Sequence, residues 1–425
     1  MLISLVLALM VGLMLIGMPI AIAMGIATIA YLGIADISLS ILPQRMTNAV
    51  NSFLILAIPL FYLAGELMNA CRLTERIVAL SKALVGHFRG GLAQVSIVSG
   101  MIFAGISGSA TAETAALGSV LIPAMKKEGY DPAFAAAVIV CAAMIGPIIP
   151  PSIALVIYGA IANVSIGKLL LGGIVPGIVI GLTEMVFVYF IARRRNLPRF
   201  PRASIRDVAT ATWRGMAAVL FPIIIAGGIL SGVFTPTEAA ATAVLYAIAL
   251  GVFVYRNMTL RESWQVFQRV SFSAGRILII IAVAAAFSWV VGREQVPQAV
   301  VGFMLGLTDN AYVVLAIIIV LLLIVGLFMI ESAALIVLTP ILVPVVVSFG
   351  IDPVQFGVLM VFVLIIGGGT PPVGVLLFVA QDIAKVSFAE LVRAILPFYV
   401  PLVVATLLIA YIPWLTLYVP SLVFK

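Results

Sequence analysis

Gly146-Pro147-Ile148-Ile149-Pro150-Pro151-Ser152 interrupts one apolar stretch of the chain, and Gly367-Gly368-Gly369-Thr370-Pro371-Pro372 interrupts a second one 221 residues later. The same offset pairs Gly129-Tyr130-Asp131-Pro132 with Gly350-Ile351-Asp352-Pro353, Pro123 with Pro344, Gly105 with Gly326 and Pro176 with Pro397. Chance seldom holds one spacing through so many glycines and prolines, so the chain is read as an internal duplication.

The solvent for this duplication follows from composition. Of 425 residues, 64% are hydrophobic and 9% charged, against roughly 25% charged in a soluble domain, and the mean hydropathy is +1.30. A bilayer core about 30 Å thick takes about 20 apolar residues per helix, so roughly ten to twelve passages fit. Runs such as 277–287 and 313–330 are apolar on every face, which excludes the alternation of a transmembrane β-barrel. The expected fold is an all-α polytopic membrane protein. Residues 1–34 stay apolar with no basic start, and are read as an uncleaved first helix rather than a signal peptide. Cys71 and Cys141 lack metal-ligand or CxxC spacing.

Seven of the 23 basic residues fall between Arg193 and Arg214, which puts this central connection in the cytoplasm by the positive-inside rule and speaks for a membrane surface rather than nucleic acid. The chain divides there into repeats 1–203 and 204–425. The loop Met125-Lys126-Lys127-Glu128 is basic, whereas its counterpart Val346-Val347-Ser348-Phe349 is not, so the repeats are expected to be inverted, the signature of a secondary transporter. Segments on either side of Ser107-Gly108-Ser109-Ala110 are too short to span. They predict a re-entrant hairpin over about 92–125, with a counterpart over about 311–348 broken near 329–332. Broken helices follow over about 132–163 and 353–384.

A proline has no N–H for the carbonyl four residues earlier. Pro150 and Pro151 are thus expected to free the carbonyls of Gly146 and Pro147, and Pro371 and Pro372 those of Gly367 and Gly368. In hydrocarbon such carbonyls persist only where protein, water or an ion satisfies them. Hard cations take oxygen ligands, and Ser107, Ser109, Ser332 and Thr370 add hydroxyls, so one sodium site per repeat is expected. Helix N-termini near Thr111, Pro151, Ser332 and Pro371 favour an anion. A carboxylate carried together with sodium fits both.

Single kinks of this sort are ordinary in membrane proteins; their repetition is what argues for a site. Acids and bases in apolar segments are functional candidates by default. Glu66, Glu113, Glu184, Glu238, Arg293 and Glu331 are those to place. Glu331 stands at the second hairpin tip. Arg293 is open to pairing a substrate carboxylate, to a salt bridge with Glu294 or to an interfacial position. Glu238, just after Pro236, reads as a helix cap, and His87 as a loop residue. An interfacial helix from about Asn48 to Met68 is expected as a scaffold arm.

Together Gly105-Ile106-Ser107-Gly108-Ser109-Ala110, Ile148-Ile149-Pro150-Pro151-Ser152, Phe234-Thr235-Pro236-Thr237-Glu238-Ala239-Ala240 and Gly369-Thr370-Pro371-Pro372 resemble the large membrane subunit of tripartite ATP-independent periplasmic (TRAP) transporters. Ser52-Phe53, Ala57-Ile58-Pro59-Leu60-Phe61 and Gly65-Glu66-Leu67-Met68 resemble it too, so the likeness covers nearly the whole chain. It implies a sodium-coupled elevator of the ion transporter superfamily in the bacterial inner membrane, its transport and scaffold domains each assembled from both repeats. Implied partners are a small four-helix membrane subunit (Q type) and a periplasmic substrate-binding protein (P type). The resemblance places Ser107, Ser109, Gly146, Pro147, Pro150, Gly367 and Thr370 at the sodium-binding breaks, and Gly326 and Gly368 are expected to join them. It places Ser109, Ser152, Arg293 and Glu331 where the sialic-acid branch contacts substrate, with Pro151 and Pro372 expected beside them; substrates across the family include C4-dicarboxylates, sialic acid and other organic acids. Ile145-Gly146-Pro147 and Arg293-Glu294-Gln295-Val296 look closer to the sialic-acid branch, which carries Asp where this chain has Glu331.

An embedded enzyme would need a nucleophile and base or a metal cluster, and the sequence has one histidine, no HExxH and no Cys/His set. A proton-translocating subunit would need a chain of ionisable groups across the membrane, which the scattered acids do not form. A stand-alone sodium/carboxylate symporter is the remaining alternative.

Overall fold

The computed structural model describes residues 2–71 and 73–424, with the backbone alone at residue 260. Helices account for all the regular structure among them. Eight are at least 18 residues long and apolar enough to cross a membrane, and others of 10–17 residues are as apolar. Trp213, Phe253, Phe272 and Phe328 are well exposed; in water so much bare aromatic surface would be an association site, and in a bilayer it meets lipid.

Each Gly-x-Asp-Pro motif is a helix stop followed by a helix start. Gly129 and Gly350 take φ of +83° and +77°, and the next N–H groups reach back, Tyr130 to Met125 and Ile351 to Val346, both at 3.0 Å. This satisfies carbonyls at the ends of Ala110–Lys127 and Glu331–Ser348. Asp131 then accepts from Phe134 N–H at 2.8 Å and Asp352 from Val354 N–H at 2.7 Å. The proline occupies the first helical position, where its missing N–H costs nothing.

The two halves repeat one sequence of elements. Helices Gly91–Ser107 and Ala110–Lys127 are followed by Pro132–Ala143 and Ile153–Ala162; Ala311–Phe328 and Glu331–Ser348 are followed by Pro353–Gly368 and Val375–Ala384. The pairing crosses between halves. The first helix pair packs on Pro132–Ala143 and, through its second member, on Val375–Ala384, whereas the second pair packs on Pro353–Gly368 and in the same way on Ile153–Ala162. Around them, Pro236–Ile248 lies on Ala57–Ala70, and the 34-residue helix Leu260–Arg293 crosses Ile20–Ile34, Ile41–Val50 and Ala57–Ala70.

Two expectations are corrected. Residues 1–34 form two helices, Leu2–Leu15 and Ile20–Ile34, separated at Gly17, whose φ is +88°, and Pro19; Met1 lies outside the described residues. The expected arm from Asn48 to Met68 is three pieces, Ile41–Val50, the 3-10 turn Phe53–Leu56 and Ala57–Ala70, because Ser52 is extended at φ −114°, ψ 130°.

Candidate functional site

The tip of the first helix pair rests on the first break. Gly108 has φ +59°, and a Cβ there would collide with the Pro151 carbonyl, while one at Gly105 would meet Pro222 and lie 3.6 Å from the Pro150 carbonyl. Glycine is required at Gly108 by conformation and by space alike. Ser109 follows as N-cap of Ala110–Lys127, its hydroxyl accepting from Ala112 N–H at 3.5 Å. Ser107 is buried, with its carbonyl 3.2 Å from where a Cβ would stand on Gly65 of the surrounding helices.

Ser152 closes part of the first break. Its hydroxyl donates to the Pro147 carbonyl and accepts from Leu155 N–H at 3.1 Å, capping Ile153–Ala162. The Pro147 oxygen is therefore engaged, contrary to expectation, whereas no described residue donates to the Gly146 carbonyl. At the second break the Gly367 carbonyl is likewise engaged, accepting from Thr370 N–H at 2.9 Å. Thr370 donates its hydroxyl to the Ile366 carbonyl at 2.6 Å, and Tyr399 donates to Gly369 at 3.0 Å. The Gly368 carbonyl has no donor among the described residues. Prolines open the helix as expected, but a neighbouring Ser or Thr takes back one carbonyl in each copy.

The breaks touch each other. A Cβ on Gly369 would run into the Met144 methyl at the end of the first half-helix. Gly326 and Gly367 meet backbone to backbone, with 3.0 Å from a Cβ at Gly326 to the Gly367 Cα, so Gly326 permits close docking of the second pair. Helix starts fall at Ala110, Ile153, Glu331 and Val375; the last two come without a side-chain cap. The fourth lies beyond the expected Pro371 because residues 370–373 form turns.

Not every expected substrate residue joins this meeting point. Ser109, Pro151 and Ser152 are adjacent there, and Pro372 is exposed beside the second break. Glu331 is half-buried at the start of its helix. Arg293 is exposed and stacks on Trp289, 5.5 Å from its ring centroid, with Arg45 at 5.6 Å from the same ring. Its other expected partner, Glu294, accepts instead from the Tyr31 hydroxyl at 2.5 Å. Glu238 forms the expected capping box with Thr235. A cavity of about 540 Å³ opens between Asn48, Ser52, Asn163, Ser165 and Ser288, at the far end of Ile153–Ala162 from the break. Its walls come from three separate segments, 48–55, 159–165 and 281–288, with no shared motif to mark them in the sequence.

Paired broken helices whose breaks meet inside a helical bundle define a secondary transporter rather than an enzyme. The family model described as tripartite ATP-independent periplasmic transporter, DctM component, matches residues 7–415. The chain is 39% identical to the sialic acid TRAP transporter large permease protein SiaM of Vibrio cholerae, over 97% of this chain and 96% of that one. It is 37% identical to the C4-dicarboxylate TRAP transporter large permease protein DctM of the same species, over 99% and 98%. It is 39% identical to the 2,3-diketo-L-gulonate TRAP transporter large permease protein YiaN of Escherichia coli, over 94% of each. In fold it is similar to the crystal structure of the Alcanivorax borkumensis YdaH transporter, with a TM-score of 0.63, 16% identity and 87% of each chain covered.

The chain belongs to the DctM-component family of TRAP transporters, as a large permease subunit. It is a multi-pass inner-membrane transport protein and not an enzyme. As a member of that family it is ion-coupled and part of a three-component assembly.

Proposed function

We propose that this subunit imports an organic acid, a C4-dicarboxylate, sialic acid or a related carboxylate, by sodium-coupled symport across the inner membrane. The observation that carries the reading is the meeting of two helix breaks, each leaving a proline-freed carbonyl, Gly146 or Gly368, without a donor among the described residues, beside helix N-termini at Ala110 and Ile153. Carbonyl oxygens suit a hard cation and N-terminal N–H groups suit a carboxylate. One compact region thus offers opposite polarities to an ion and an acid.

The residues present fit sodium. Gly146 and Gly368 offer backbone oxygens, and Ser107, Ser109 and Thr370 offer hydroxyl lone pairs; Pro147, Gly326 and Gly367 shape the backbone around them, and Pro150 holds the first break open. Ser109, Pro151 and Ser152 face the acid at the first break, with Pro372 across from them. Glu331 and Arg293 belong to the substrate path rather than to the breaks, Arg293 being the positive end.

Two contacts support inverted repeats divided near residue 203. The end of the first broken helix joins the start of the second through Tyr158 and the Pro353 carbonyl, 2.7 Å apart. The base of the first pair joins the end of the second broken helix through Lys126 and the Ala384 carbonyl, 3.4 Å apart. Such repeats carry an elevator in which the helix pairs and broken helices move against the surrounding helices. A Q-type four-helix subunit covers the latter, and a P-type periplasmic protein delivers the acid.

The test is uptake of a labelled panel of organic acids into proteoliposomes under an inward sodium gradient, with and without both partners. Uptake needing sodium and both partners supports the reading and names the substrate. Uptake by this chain alone makes it a self-sufficient symporter, and uptake driven by a proton gradient without sodium overturns the coupling.

A further inference from the structure

Two carboxylates, Glu113 and Glu184, are buried in the first half of the chain with 0% and 1% of their surface exposed. None of their four oxygens has a hydrogen-bond partner among the described residues. Glu184 is the charged group that bears on Glu113, and no salt bridge recorded among the described residues involves either acid. A buried charge without a partner is costly, and two like charges together more so. Either a proton or a bound cation can offset them.

The surroundings are shaped to leave room. Glu113 projects from Ala110–Lys127 against the first broken helix, where a Cβ at Gly146 would collide with its Oε2. On the other side its Oε1 is 3.1 Å from where a Cβ at Gly100 would stand, and the Ala142 carbonyl is 2.8 Å from that same point. Glu184 enters from Ile174–Arg194, which packs on Gly91–Ser107. The Gln94 amide donates to the Met185 carbonyl, next to Glu184, at 2.9 Å, and Gln94 Oε1 is buried without a partner, as is Ser99 Oγ on the same helix. Glycines make the space, and every unsatisfied group named here is an oxygen.

We propose that Glu113 and Glu184 form a sodium site of their own, abutting the first break and absent from the second half. Carboxylate and carbonyl oxygens suit a hard cation, and a cation between the two acids replaces their repulsion by two attractions. At the offset of 221 residues Glu113 corresponds to Ala334 and Glu184 to Ala405, so the duplication does not supply a twin. The site shares with the reading above only the ion, and adds a charged site to the neutral ones at the breaks.

The test uses the full chain, purified with its small subunit, and needs no transport. Sodium-induced infrared difference spectra and equilibrium binding of radioactive sodium are measured for the wild type, Glu113→Gln, Glu184→Gln and Thr370→Val. Addition of sodium is expected to shift carboxylate bands in the wild type and in Thr370→Val. Either glutamine variant is expected to abolish those shifts and raise the half-saturating sodium concentration roughly tenfold or more. Carboxylate bands indifferent to sodium, or wild-type affinity in both glutamine variants, overturn the pair as a site. The break reading then stands or falls separately, on the sodium affinity of Thr370→Val. If the glutamine variants fail to fold, the wild-type spectrum decides.

Discussion

Tyr158, near the end of the first broken helix, donates its hydroxyl to the carbonyl of Pro353, the first residue of the second, at 2.7 Å. The two residues are 195 positions apart, and their contact ties the halves of the duplication end to start. Tyr158→Phe keeps the ring, which packs edge-on to Phe356 at 6.5 Å, and removes only the hydrogen bond. A loss of about 1 kcal/mol of stability is expected, seen as a lower apparent Tm in thermal unfolding of the purified protein, with sodium affinity unchanged. An unchanged Tm would mean that the bond does not hold the halves together.

Gly326 and Gly367 approach too closely for any side chain, since a Cβ on Gly367 would stand 2.6 Å from the Gly326 Cα. Gly326→Ala is expected to separate the second helix pair from its broken helix, lowering folded yield and Tm by the amount typical of overpacking, about 1–3 kcal/mol. Gly368→Ala, where a Cβ meets nothing within 4 Å, should be far milder. Size-exclusion profiles of the two variants side by side decide the point.

Ser107→Ala combined with Ser109→Ala is expected to weaken sodium binding more than it lowers expression. Ser109 also caps a helix through a long 3.5 Å hydrogen bond, so a stability loss of about 0.5–2 kcal/mol belongs to the cap. Thermal unfolding measured with and without sodium separates the two effects. If folded protein and sodium affinity fall in step, the serines are structural.

Glu331→Gln keeps the size of a side chain that opens Glu331–Ser348 and removes its charge. Sodium-dependent uptake is expected to persist, with a changed KM for the acid. Complete loss of sodium dependence would place the coupling pathway through Glu331 and not through the breaks.

Much of this arrangement is legible in the sequence because its parts act locally. Gly-x-Asp-Pro needs only a left-handed glycine, a capping carboxylate and a proline at the first helical position, and it marks four helix boundaries. Pro150, Pro151, Pro371 and Pro372 open the helices by the same local logic. What the sequence hides is who responds. Ser152 returning to Pro147, Thr370 returning to Gly367, and Met144 meeting Gly369 depend on the path of the chain through each break. Arg293 shows the limit from the other side, because it stacks on Trp289 one helical turn back while Glu294 beside it in sequence accepts from the distant Tyr31. Glu113 and Glu184 are separate candidates in the sequence, and only the fold shows that both are buried without a hydrogen-bond partner among the described residues.

Coupling of sodium to the acid at the breaks is tested by simultaneous measurement of sodium and acid entry into proteoliposomes. In the wild type, sodium should enter in fixed proportion to the acid. In Pro150→Ala with Pro151→Ala, where the helix can close its hydrogen bonds and withdraw the Gly146 carbonyl, both fluxes should vanish from correctly folded protein. Wild-type fluxes in that variant, or acid entry without sodium in the wild type, would contradict the account.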